Sequence, residues 1–318
     1  MGASREESVL KTSIFRRAPS IAVSTVSDQE AWKRVQYLIW ALVGPLYLLS
    51  SSLAWLTLGL PIILSSHLPA YSQSVWFSRF SSAIETLVVF GVISWIAGKE
   101  DRQVIWKTIR VPEPTYTGLS LAIPIGIAVL LSTGQYLFDR AQWAAHNFGN
   151  MDPPQFGSYF TLPDPWLLLL FFPALFEEMI FRGLLQRRFV QRYGIYRGIF
   201  FAGIVWAAFH FFSDFAFARV TDQDAILKLT SRIFTCLVLS CVFGWLTLRT
   251  GSILPASLAH TFYNVIVFSD FGQHLLGKST IQVALWGLLA YALFRYWPAR
   301  AENGPEAAPA VANPEPAV

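Results

Sequence analysis

The amino-acid sequence predicts an all-α, polytopic membrane protein, and three observations carry that expectation. Charged residues make up only 14% of the 318 and hydrophobic residues 54%, whereas an ordinary soluble domain is about 25% charged. Apolar stretches of about 20 residues, the length that crosses about 30 Å of hydrocarbon as a helix, recur along the chain. Lys and Arg gather at alternate ends of those stretches, the asymmetry that sets orientation in a bilayer.

Eight spans are expected, at about 37–66, 79–97, 116–138, 164–186, 196–212, 230–249, 252–269 and 279–297. The first is long enough to kink at Pro61. Residues 1–36 carry Arg16, Arg17, Lys33 and Arg34 but no short apolar core ending in a small-residue cleavage site. They read as a cytoplasmic segment without a removable signal peptide. Residues 37–298 read as a single transmembrane domain, and 299–318, rich in Ala, Pro and Glu without an apolar period, as a disordered tail. With both termini cytoplasmic, the basic stretches 99–110 and 187–197 fall on the same side. The formal charge of +4 then speaks of orientation and anionic lipid headgroups, and nothing calls for nucleic acid. The outer loops, about 139–163 and 213–229, are aromatic and suit the interface. Cys236 and Cys241 lie five residues apart in span six, on different helix faces, so neither a disulfide framework nor a cysteine metal site is expected.

The informative residues are the polar ones inside the spans. The run "LFFPALFEEMIFRGLLQ" (170–186) places Glu177, Glu178 and Arg182 among apolar neighbours. His210 lies in span five, and His260 and Asn264 lie in span seven. An ionisable group near the bilayer centre costs about 2.5–3.5 kcal/mol, so such groups face a protein interior or a wet cavity. Depth along the helices allows Glu177, His210 and His260 to meet. Glu178 and Arg182 are four apart with the acid first, the favourable order for a pair, as suits a structural contact as well as a functional one. Glu177 is rotated about 100° from Glu178. The adjacent acids therefore suit different tasks, one facing a cavity and one held by Arg182.

The chemistry this set suggests is water activation. An enclosed carboxylate, Glu177, can act as general base with His210 orienting the water. His260 and Asn264 can donate to the oxyanion that develops when water attacks a peptide carbonyl. Glu177, His210 and His260 equally suit a zinc ion that would activate the water. No His-Glu-x-x-His motif is present to decide between these. Glu85 suits snorkelling or a pair with Arg79. Pro173 is expected to bend span four near the acids. Gly183, Gly203 and Gly244 suit close helix contact.

Three motifs in order, "EEMIFR" (Glu177, Glu178, Arg182), "FAGIVWAAFH" ending at His210, and "HTFYN" (His260, Asn264), together resemble the CAAX-protease and bacteriocin-processing (Abi) family of intramembrane endopeptidases, of the type II CAAX prenyl endopeptidase kind. The resemblance covers about 160–270. It implies an eight-helix membrane fold with a conical catalytic cavity, Glu177 activating water beside His210, and His260 with Asn264 at the oxyanion. It also implies a membrane-anchored or exported protein or peptide as substrate, and leaves zinc an open alternative. Two other classes fit the same polar set: a non-catalytic membrane immunity or binding protein, and a transporter using the acids and histidines as a proton path.

Overall fold

The computed structural model describes residues 28–43, 70–146, 152–160, 165–216, 222–268 and 278–299. The N-terminal segment before Asp28, the Pro61 kink, parts of both outer loops and the tail beyond Ala299 lie outside the described residues, as do the side chains of Arg79 and Glu85. All regular structure among the described residues is helical. We number the α-helices α1 (Asp28–Val43), α2 (Ala70–Thr108), α3 (Pro114–His146), α4 (Phe171–Glu178), α5 (Arg187–Tyr193), α6 (Ile195–Ala216), α7 (Asp222–Thr250), α8 (Leu254–Phe268) and α9 (Lys278–Tyr296). The 3₁₀ turns Phe156–Tyr159 and Pro165–Leu170 precede α4, and a π-helix, Met179–Gln186, joins α4 to α5.

α3 shows which solvent this fold meets. Its inward stripe is Tyr116, Ser120, Pro124, Ala128, Ser132 and Gln135, whereas Ile125, Val129, Leu130, Leu137 and Phe138 point outward. A helix in water would reverse that pattern. Small and polar side chains facing other helices, with branched and aromatic ones facing out, is the arrangement favoured in lipid. Ser120 and Ser132 are fully buried or nearly so, and Ser120 Oγ donates to the Tyr116 carbonyl at 2.7 Å.

Eight spans are expected from hydropathy. Among the described residues two helices, Pro114–His146 and Leu229–Thr250, are long and apolar enough to cross a membrane, and Ile195–His210 is a shorter apolar helix. The difference has a local cause in one place: the fourth expected span winds successively as 3₁₀, α, π and α from Pro165 to Tyr193.

Two features lock the helices around the centre. α5 ends at Gly194, whose φ of 80° suits only glycine well, and its N–H closes the helix on the Val190 carbonyl at 2.9 Å. The tight reversal into α6 then brings Gly198 onto α5 so closely that a Cβ there would lie 2.5 Å from the Val190 nitrogen. Because that neighbour is backbone, Gly198→Ala is expected to cost at least about 1–3 kcal/mol. A fall in the thermal midpoint of detergent-purified protein would register it, and an unchanged midpoint would refute the packing. Gly203 and Gly244 also sit at close approaches, against Ser240 and Gln186 respectively, while Gly183 has ordinary contacts only. At the basic end, Asp101 of α2 accepts from both Arg187 and Arg188 of α5, the latter at 2.7 Å, and all three are largely buried. This clamp fixes the far end of the π-helix. At the opposite end of α3, Tyr159 donates to Asp139 at 2.7 Å and packs on Tyr136. Burial first, then Asp139, pushes the Tyr159 phenol up to about 12.

Candidate active site

The centre of the fold is built where α4, the π-helix, α6, α7 and α8 meet. α4 ends on the two acids, Glu177 and Glu178. Pro173, expected to bend this region, sits in the first turn of α4, where its missing N–H costs nothing. The departure from α geometry comes later, at the π-helix that begins directly after Glu178 and whose residues are all buried. Such wide turns are rare and recur at functional sites.

The adjacent acids have different surroundings. Glu178 is fully buried: its Oε1 meets His260 Nδ1 at 2.9 Å, and its Oε2 lies 3.1 Å from Arg182 Nε. That second contact is off the line of a hydrogen bond, so it is charge rather than a directed bond that joins the pair. Arg182 continues outward, donating from Nη2 to Ser240 Oγ of α7 at 3.2 Å. Its guanidinium lies 4.4 Å over the Trp206 ring and 5.5 Å from that of Phe243.

Glu177 remains accessible. Its side chain is 13% exposed and that of His210 is 20%, against 0% for both Glu178 and Arg182 and 4% for His260. Its Oε2 accepts from the Trp206 indole N–H at 2.9 Å and lies 3.7 Å from His210 Nε2, too far for a hydrogen bond in this arrangement. The i, i+4 spacing predicts Glu178 on Arg182, and depth allows Glu177 to meet His210; the structure has the first pair at 3.1 Å and the second at 3.7 Å.

His260 and Asn264 lie four residues apart on α8, as expected, and the structure adds a partner for His260: its Nδ1 is directed to Glu178, 82 positions earlier. Asn264 is half-buried one turn further along α8, and no hydrogen bond joins it to the other five among the described residues. Zinc on Glu177, His210 and His260 was an alternative the sequence left open. Among the described residues no three His, Cys, Asp or Glu side chains form a group able to hold a metal ion. His260 Nδ1 is taken by Glu178 and Glu177 Oε2 by Trp206, so a metal would have to use His260 Nε2, Glu177 Oε1 and a His210 nitrogen.

Trp206 is the residue the sequence reading passed over. One side chain touches Glu177 through its N–H and Arg182 through its face, and meets the His260 ring edge-on at 5.2 Å. Its ring also lies 5.8 Å from that of His210. The signal was present in the sequence: Trp206 precedes His210 by four residues and so shares its helix face.

The arrangement defines a class, a helical scaffold whose accessible carboxylate and imidazole stand on a sealed carboxylate–guanidinium–imidazole base. Residues 161–266 match the family described as type II CAAX prenyl endopeptidase Rce1-like, and that segment contains all six residues of the three motifs. The resemblance drawn from the motifs is thus shown over this segment, at the level of a family of membrane-embedded peptidases. No curated protein and no solved structure matches the chain.

Proposed function

We propose that this protein is an intramembrane endopeptidase that hydrolyses a peptide bond in a membrane-anchored protein or peptide, using water activated by Glu177. The observation that carries the reading is the division of labour between neighbouring acids, Glu177 accessible beside His210 and Glu178 sealed against Arg182 and His260. An acid that merely stabilised the fold would have no reason to stay accessible next to one that is fully satisfied.

In this mechanism Glu177 takes a proton from water as the water oxygen bonds to the scissile carbonyl carbon, and the carbonyl electron pair moves onto oxygen. His210 orients the water. Nδ1 of His260 is held by Glu178, so Nε2 is the nitrogen offered to substrate; in the imidazolium form it donates to the oxyanion, with the Asn264 amide as second donor. Collapse of the intermediate breaks the C–N bond, and the leaving amine takes the proton from Glu177. Arg182 and Glu178 act as positioning residues, holding His260 from behind.

The wider reading is an eight-span protein with both termini in the cytoplasm, supported by the lipid-type pattern of α3 and the basic residues gathered at one end. Prenylated CAAX-type proteins, peptide leaders and C-terminal sorting signals are the substrate classes to present. Incubating purified protein with membrane-anchored peptides of each class, and identifying new termini by mass spectrometry, tests the proposal. Folded protein that cleaves none of the three would overturn it.

Trp206 adds a graded check. Trp206→Phe keeps the ring over Arg182 but removes the donor to Glu177, and a hydrogen bond to a charged group contributes about 1.5–3 kcal/mol. A fall in kcat of about ten- to a hundredfold is expected, together with a modest fall in the thermal midpoint because the same bond also stabilises the fold. Unchanged kcat would show that the indole N–H does not tune the base.

A further inference from the structure

A groove between α1 and α5 lies outside the catalytic centre and has no role in the mechanism above. We propose that it binds the headgroup phosphodiester of an anionic phospholipid. Its cavity, 530 Å³, is lined by Gln29, Trp32, Lys33 and Gln36 of α1 and by Arg192 of α5. The four α1 residues follow at i, i+3, i+4 and i+7, so they form one stripe facing Arg192. Two cations and two amides line the groove and no acid does. Among the described residues no carboxylate pairs with Lys33 or Arg192.

The aromatic wall is fixed and so is the cation on it. Trp32 packs edge-on against Phe189 and Tyr193, with centroids 6.0 and 5.6 Å away, and the Arg192 guanidinium lies 4.3 Å over its ring. Stacking occupies the face of the guanidinium and leaves its in-plane N–H donors for an oxyanion, the geometry in which arginine recognises phosphate.

A second feature selects a lipid over a free phosphate. Trp40 continues the groove stripe one turn beyond Gln36 and is 78% exposed, and Tyr37, one turn beyond Lys33, is 65% exposed. The opposite face of α1, Ala31, Val35, Leu38 and Leu42, is buried against the bundle. Donors at one level with exposed aromatic rings about 5–6 Å further along the helix match a charged headgroup and the start of its acyl chains. A free phosphate would use only the lower half.

The test uses the full chain purified in detergent, as wild type, Lys33→Gln/Arg192→Gln, Arg192→Lys, Trp40→Ala and, as a charge control outside the groove, Arg295→Gln. Each is incubated with phosphatidylglycerol, phosphatidylcholine or inorganic phosphate, and bound molecules are counted by native mass spectrometry, with thermal midpoints confirming that the variants fold. Wild type and Arg295→Gln are expected to retain phosphatidylglycerol, and Arg192→Lys, which keeps the charge but loses the stacked in-plane donors, should retain it less. The double variant should retain it about twenty-five-fold less, since each basic residue near an anionic headgroup contributes about a fivefold factor. Trp40→Ala should reduce retention without any change in charge. Equal retention by wild type and double variant, or equal retention of phosphatidylcholine, overturns the proposal. Displacement of phosphatidylglycerol by inorganic phosphate would reassign the groove to free phosphate. None of these readouts depends on peptide cleavage.

Discussion

Glu177→Gln is expected to abolish peptide cleavage, lowering kcat by about a thousandfold or more, because an amide cannot take the proton from water while the rest of the site stays in place. General-base catalysis contributes about 10²–10⁴. The substitution keeps the size and one oxygen of the side chain, so Trp206 can still donate to it and the fold should hold. Single-turnover cleavage of an anchored peptide, beside a thermal melt of the same sample, separates loss of chemistry from loss of structure. Cleavage equal to wild type would remove Glu177 as the base. A folded variant that differs from wild type only in stability, with neither protein ever cleaving, would move the protein to the binding class, in which the same residues serve as a polar helix network. Metal content measured on the same wild-type sample tests the zinc alternative directly.

Arg182→Leu should be the most damaging change to the fold. Arg182 is fully buried, with Glu178 on one side, Ser240 on another, and the rings of Trp206 and Phe243 beneath it. Removing one partner of a buried ion pair leaves the other charge uncompensated, at a cost of about 3–5 kcal/mol. The variant is expected to lose most folded protein at growth temperature. Adding Glu178→Leu should recover part of that stability, because the orphaned charge goes with it, and the two changes should be far from additive. Activity should not recover, because His260 has then lost the carboxylate that holds Nδ1. Parallel recovery of stability and activity would show that Glu178 has no part in positioning His260, and additive costs would show that the pair does not interact.

These expectations rest on unequal shares of sequence and structure. Glu178 and Arg182 were readable as a pair from the chain, since a separation of four inside one helix fixes their proximity whatever the rest of the protein does. The separation of Glu177 from Glu178 was readable for the same reason. The partner of His260 was not. It lies 82 positions earlier, and the rotation of α8 against α4 directs His260 Nδ1 to it. Trp206 was hidden differently: a tryptophan in an apolar helix looks like packing until the residues around its N–H and its face are known.

By itself, then, the sequence determined the helical class, the identity of the polar residues and the local pairs, because hydropathy and a 3.6-residue period are properties of short segments. Only the tertiary structure decided which acid is sealed and which stays accessible, where the helix opens into a π turn, and which carboxylate holds His260. Those features depend on how neighbouring helices are rotated and how closely they approach, at contacts such as Gly198 on Val190 and Gly203 on Ser240. A segment carries no record of its own rotation against a neighbour 80 residues away in sequence, as from Glu178 to His260; that is set when the whole bundle packs.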